Sequence, residues 1–429
     1  MTKSRRIIDN PSYADLLRQI RALESFEALY RAIPFARKLF PKIDEVFSSF
    51  SEVKKQAEIL EIPDRFNEIF SKFGWIAYES MNFDIMKKSI ARYEFNGIEE
   101  AELYLADSYD EDALKFGIMR FSGNIEFRRR IRLANLAKED YLERRYHACI
   151  PLLLSLIDGL VNDVSRSVGF FAESSDMTAW DSMAAHETGL QSLASLMTKK
   201  KNKTNEKTIT IPYRNGILHG RELAFDNKIV AAKCWATLFA IRDWAAALSD
   251  GKKTPKPKKE ISWKETFASI IENNRKRKLL EAWKPRDSST LSYLPNNGIP
   301  SELPIGTPER AIAEFIENWC KQRYGLIAES LLYFTDTSKG KRAGLAKEDF
   351  SRRVPSSFKI FSVEDRAFAA SHVIVDLSFA TQEGLLSRRV SVRAIYQEDC
   401  NGSLTWNGEK GDWKVVQNSL SEILYAVSL

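Results

Sequence analysis

Arg214 and His219 are two side chains whose types and spacing suit a reaction, and Asn215 follows the arginine directly. A neutral imidazole is the group best placed to move a proton near neutral pH. A guanidinium keeps its charge and meets phosphate oxygens as a fork. Together they suit attack of a ribose 2′-hydroxyl on the adjacent phosphate. His219 takes the proton or returns one to the leaving 5′-oxygen, Arg214 stabilises the charge building on the phosphorane, and Asn215 hydrogen-bonds near the site. That chemistry calls for neither metal nor cofactor. The residues alone leave a second reading open, a surface pair on a helix, because this spacing occurs by chance in many chains.

The pair must be positioned by its neighbours. Ile150, Leu153, Leu154, Ile157, Leu160, Val161 and Val164 recur at helical spacing and make a first amphipathic helix. Asp158 lies just beyond the edge of that stripe, with Asn162 one turn later. A polar pair there either orients an arginine or histidine from a facing helix or marks a helix edge at the surface. Residues 222–248 read as a second long helix, with Leu223, Val230, Trp235, Leu238, Phe239, Ile241, Trp244 and Leu248 spread over several faces. Such a helix is buried on both sides or packs on a partner. Between the two, residues 170–198 read as helical. Lys199, Lys200, Lys201, Lys203 and Lys207 follow, too charged to pack and therefore an exposed loop. This loop ends shortly before Arg214 and is a candidate clamp for an RNA backbone. Gly216 is read as permitting the turn into the helix.

The run Tyr213-Arg214-Asn215-Gly216-Ile217-Leu218-His219-Gly220 resembles the HEPN family (higher eukaryotes and prokaryotes nucleotide-binding) over roughly residues 140–250. The resemblance implies a helical bundle. Many members are metal-independent ribonucleases with an Arg-x4–6-His motif, often with Asn after the Arg. It also implies an acidic or polar residue on the first helix in a supporting role, here Asp158 and Asn162. Dimerisation with the two motifs meeting at the interface is common in the family, as are bacterial stress, toxin or antiviral defence settings. Many ribonuclease members carry a tyrosine two residues after the histidine; here that position is Arg221, which sets this chain apart from that subgroup.

The rest of the chain divides by pattern. Residues 1–130 read as short and medium helices, with a start at Asn10-Pro11-Ser12, prolines at 34, 41 and 63, and an acidic helix start after Gly97. Asp84, Asp107, Asp110 and Asp112 suit a solvated face better than a metal, and Arg128-Arg129-Arg130 with Arg132 reads as a solvated basic face or an RNA contact. Residues 131–250 form the HEPN-like domain. Residues 251–305 hold a Lys- and Pro-rich linker, a short helix over about 263–283 and a loop. Thr307-Pro308-Glu309 opens a helix in residues 306–429. After Gly340 the pattern alternates: Val373, Val375, Leu377 and Phe379 share one face, Val390, Val392, Ala394 and Tyr396 another. Turns at Asn401-Gly402 and Asn407-Gly408 precede a strand at Gly411-Asp412-Trp413-Lys414-Val415-Val416. This order resembles the nuclear-transport-factor-like (cystatin-like cone) superfamily, whose members bind small molecules or partner proteins. His372 and Asp376 share a strand face as a core or surface pair.

The expected fold class is therefore mainly α, with a C-terminal α+β antiparallel sheet. The chain of 429 residues has 44% hydrophobic and 11% aromatic content, which fits a folded protein of two or three domains. Apolar runs are interrupted by charge, so no membrane span is expected. Cys149, Cys234, Cys320 and Cys400 are scattered, which argues for a reducing cytoplasm and against zinc or a disulfide framework. The net charge of +6 is mild. The residues thus point to an RNA-cleaving dimer. An RNA- or protein-binding scaffold without catalysis is the alternative, and a third reading makes the C-terminal domain a small-ligand sensor.

Overall fold

Helical periodicity governs most of the chain, and strict alternation takes over near its end. The computed structural model describes residues 6–14, 17–18, 20, 59–165, 169–171, 177–179, 181–249, 251, 281–332, 338–382, 384–397 and 411–424. Within these the protein is mainly helical, with one four-stranded antiparallel sheet near the C-terminus. Pro34 and Pro41, the turns at 401–402 and 407–408, most of the linker and most of the helix expected over 263–283 lie outside the described residues.

The chain forms two compact units, Met1–Ile118 with Leu133–Arg275, and Met119–Arg132 with Lys276–Leu429. This differs from the four consecutive segments read from the sequence. The N-terminal helices belong to the same unit as the residues around Arg214, because their apolar faces are buried there.

In the first unit, α1 (Ile62–Phe70), α2 (Phe83–Asn96), α3 (Ile98–Asp107) and α4 (Glu111–Met119) precede α5 (Ile131–Leu142), α6 (Tyr146–Ser165), α7 (Leu190–Met197), α8 (Arg214–Leu218) and α9 (Lys228–Ser249). The helix start after Gly97 is present as α3, with Glu99 and Glu100 in its first turn. The acidic positions act singly: Asp110 caps Ala113 (2.9 Å) and Asp107 pairs with Lys228 of α9 (2.5 Å). The stripe on α6 is buried as its spacing requires, from Ile150 through Val161, and α6 packs on α9. By length and composition α6 is apolar enough to cross a membrane, contrary to the expectation that no segment would be. Its buried face is occupied by α9, which is what a core helix does.

Two helix boundaries differ from the sequence reading. The stretch 170–198 is helical only over α7; its described earlier residues are turns and irregular backbone. The helix expected over 222–248 begins six residues later. Gly220 adopts φ +64°, Leu223 N–H bonds Asn205 O (2.9 Å), and Asn227 then caps the new helix by accepting from Val230 N–H (3.1 Å). The apolar surplus on α9 is spent inside the chain: Trp235 and Trp244 are 0% and 1% exposed. That surplus therefore gives no argument for a second copy. Each such side chain contributes roughly 1.5–3 kcal/mol by leaving water.

Lys233 of α9 is also fully buried. Its ammonium bonds the Glu102 carboxylate and donates to Thr210 O at 2.6 Å, in the segment leading into α8. Burial pushes this ammonium down to about 8, against the opposing pull of Glu102.

In the second unit, α10 (Pro308–Cys320), α11 (Tyr324–Ser330) and α12 (Lys339–Phe350) pack with a meander of β1 (Ser357–Ala367), β2 (Ala370–Thr381), β3 (Gly384–Gln397) and β4 (Asp412–Val415), in the order β1-β2-β3-β4. Thr307 caps α10 by accepting from Arg310 N–H at 3.3 Å, with Pro308 in its first turn. Alternation then does the rest: Val373, Val375, Leu377 and Phe379 face Phe315, Ile316 and Trp319 in one core with Val392 and Ala394. The stretch directly after Gly340 is helical, as α12, and alternation starts only at Ser357. Glu309 serves more than the helix start. It is fully buried and, with Asp365 of β1, clamps Arg286 (3.0 and 2.8 Å).

Candidate functional site

Arg214 is the first residue of α8 and His219 is its C-terminal cap. The helix is short because Gly216 O accepts from both Arg221 N–H (2.7 Å) and Glu222 N–H (3.0 Å), turning the chain at once. Five residues of helix rotate the two side chains about 140° apart and set their Cα atoms roughly 9 Å apart. His219 is exposed, and among the described residues its ring has no hydrogen-bond partner. No bond joins it to Arg214.

Arg214 is held on several sides. Its Nη1 donates to Asn215 Oδ1 at 3.0 Å, its Nη2 lies 3.8 Å from Asp158 Oδ2 on α6, and its guanidinium sits 5.4 Å from the centre of the Phe171 ring. About 30% of the side chain stays exposed, while its buried Nε has no partner among the described residues. A cation over an aromatic face gains electrostatic attraction without losing its ability to meet an anion.

The supporting residues separate. Asp158 is brought to Arg214 and also accepts from Phe171 N–H at 3.4 Å. Gly169 permits this: a Cβ there would lie 2.2 Å from Asp158 Oδ1, so only glycine lets the 169–171 backbone cross over the carboxylate. Asn162 is not brought in; its side chain is exposed and unbonded among the described residues. Asn215 spends both ends of its amide on the protein, accepting from Arg214 and donating to Thr198 O at 3.3 Å. It positions Arg214 and ties α8 to the start of the lysine loop.

That loop is not uniformly exposed. Lys199, Lys200, Lys203 and Lys207 are exposed. Lys201 packs: its ammonium lies 3.2 Å from Glu222 Oε1 and 3.6 Å from the centre of the Tyr213 ring. The reason is Glu222, whose carboxylate is 1% exposed and also accepts from Asn205 Nδ2 at 2.5 Å. A buried carboxylate needs a cation, and Lys201 supplies it. Gly216 is explained by the same contact. It lies within regular helix, and a Cβ there would meet Glu222 Cγ at 2.5 Å, so close packing rather than a special turn requires glycine. Glu222 carried no signal in the sequence beyond its position near the motif.

Other candidates resolve into structural pairs. His147 is exposed ahead of the α6 stripe. His372 Nδ1 lies 3.1 Å from Ser391 Oγ, and Asp376 takes a two-pronged bond from Arg389 across the strands (2.7 and 2.8 Å). Cys149 and Cys234 are buried free thiols on α6 and α9, and burial pushes Cys149 up to about 12, far from a nucleophile at neutral pH. Among the described residues no group of three or more His, Cys, Asp or Glu is arranged to hold a metal ion.

No protein-family model matches this chain, and neither a curated protein nor a solved structure does.

Proposed function

We propose that this chain is a metal-independent endoribonuclease of HEPN type, working in a reducing cytoplasm, and that two copies complete each active site. The observation carrying this reading is Arg214. It is a permanent cation steadied by Asp158, Asn215 and Phe171, with part of its surface open and four exposed lysines on the loop that Asn215 fastens to it. Such a group receives a phosphate without reorganising. The ribose 2′-oxygen attacks the neighbouring phosphorus as His219 takes the hydroxyl proton, and the bond from phosphorus to the 5′-oxygen breaks. The leaving 5′-oxygen gains a proton, giving a 2′,3′-cyclic phosphate and a 5′-hydroxyl. Within one chain the rotation along α8 keeps Arg214 and His219 apart, so the arginine of one copy works with the histidine of a second.

The same separation supports a second reading, an RNA-binding scaffold without catalysis. Purified full-length protein incubated with mixed RNA in excess EDTA, followed by end-group analysis, distinguishes them. The ribonuclease reading expects 5′-hydroxyl ends from the parent and almost none from Arg214→Ala or His219→Ala. If EDTA stops cleavage, or both variants cut as fast as the parent, the mechanism is wrong. RNA binding without any cleavage replaces it with the scaffold.

A further inference from the structure

Two arginine-bearing stretches more than two hundred residues apart in sequence meet in the second unit. Arg128, Arg129 and Arg132 come from the 119–132 segment, and Arg352 and Arg353 from the turn after α12. Together they line one cavity of about 350 Å³. Five guanidiniums around a concave wall repel one another, and the nearby acids offset only part of that charge. Asp349 is nearly buried and is taken by Arg128 (3.0 Å) and by Gln417 Nε2 (2.6 Å). Arg129 pairs with Glu126 at 3.5 Å on the exposed side. Arg132 and Arg352 have no ion pair among the described residues. Arg353 donates to the Ile423 carbonyl at 2.6 Å.

Further features point to an occupant. The buried Nε of Arg128 has no partner among the described residues, a buried donor left over. Burial also pushes the Arg353 guanidinium below its ordinary value. Ile125, Leu345 and Leu424 add apolar lining to the cavity, and Glu348 adds a hydrogen-bond acceptor. A concave site with cations and low-dielectric walls concentrates positive potential. Guanidinium forks match phosphate oxygens. The volume falls in the range of small-molecule sites.

We propose that this cavity binds a small phosphorylated molecule of nucleotide size, its phosphate on Arg132 and Arg352 and its less polar body against Ile125, Leu345 and Leu424. A polynucleotide is the poorer fit, because the cations line one cavity of small-molecule volume together with apolar side chains instead of forming a track. The site shares no residue with the Arg214 region, so it stands whether or not the chain cleaves RNA.

Calorimetric titration of the full-length chain with adenosine 5′-monophosphate and inorganic pyrophosphate, with adenosine as the uncharged control, tests this. One saturable site for the phosphorylated probes and none for adenosine is expected. Arg132→Ala with Arg352→Ala should weaken it by at least about tenfold with thermal unfolding unchanged. Arg352→Lys keeps the charge but loses the fork and should fall between. Lysine loop variants at 199–207 should leave it intact. The proposal is overturned if phosphorylated probes fail to bind at millimolar concentration, if adenosine binds as well as its phosphate, or if the folded double variant binds like the parent. It is equally overturned if a single-stranded RNA binds through Arg132 and Arg352 and excess nucleotide does not displace it, which would make these arginines a polynucleotide contact.

Discussion

Mixing two inactive variants tests the composite site directly. Arg214→Ala removes the held cation and should cost about 10²–10³-fold in cleavage. His219→Ala removes the base and should cost about 10²–10⁴-fold. Neither change touches the core, since Arg214 is about 30% exposed and His219 lies on the surface. The 140° rotation along α8 places the two groups in different sites if copies pair about a twofold axis. In a mixed pair, one site then keeps both groups and the other loses both. Random pairing makes mixed pairs about half of the total, each with one working site of two, so activity returns to about a quarter of the parent's. That is a rise of at least about 25-fold over either variant alone. The assay is cleavage of a fluorogenic RNA in EDTA by co-expressed, differently tagged variants, with pairing confirmed by double affinity capture. Mixed pairs that form but stay as inactive as the single variants would refute the composite site.

Replacing Lys199, Lys200, Lys203 and Lys207 by glutamine should weaken RNA binding and reduce the log–log salt slope by about 0.7 for each lysine that meets a phosphate, measured by anisotropy at several salt concentrations. Lys201→Ala should instead lower stability, because it strands the buried Glu222. Gly216→Ala forces a Cβ against Glu222 and should cost about 1–3 kcal/mol in urea unfolding. Lys233→Met should cost about 3–5 kcal/mol by leaving Glu102 unpaired, and Glu102→Gln in the same chain should recover most of it; a single variant as stable as the parent would contradict the buried pair. Asp365 gives a pH signature. Burial pushes its carboxyl up, but bonds from Arg286 and Ser371 outweigh burial and hold it below the ordinary range. Its stabilisation should be complete above about pH 4 and fade as pH falls further, so the difference in urea midpoint between the parent and Asp365→Asn should shrink from pH 6 to pH 3.

Elements built on a single period were legible in the sequence. The α6 stripe, the Thr307 cap and the alternation in β2 and β3 each follow from neighbours a few residues away. Asp158 could be singled out because the stripe defines its own edge. What depended on distant partners was not legible. α9 looked too apolar for one chain because α3, α6 and α7, which pack against it, are separate stretches of sequence. Lys201 looked free because the Glu222 carboxylate that binds it is buried only after the chain turns at Gly220. Asn162 is one helical turn from Asp158, yet the strap at 169–171 reaches only the aspartate. The arginine cavity was invisible for the same reason, since Arg128 and Asp349 are 221 residues apart.

That separation also sets the order in which the protein can be built. Residues 119–132 belong with 276–429, although the flanking stretches 1–118 and 133–275 form the other unit. On the ribosome this segment emerges early and waits for most of the remaining chain. For Arg128 and Asp349 the interval is 221 residues, roughly 10–40 s of synthesis. Phe121 and Phe127, both fully buried in the finished protein, have no complete unit to join during that interval. Cutting the gene at the 275/276 boundary would separate neither unit cleanly. The front half would carry two stranded phenylalanines, and the back half would lack three of the five arginines around its cavity.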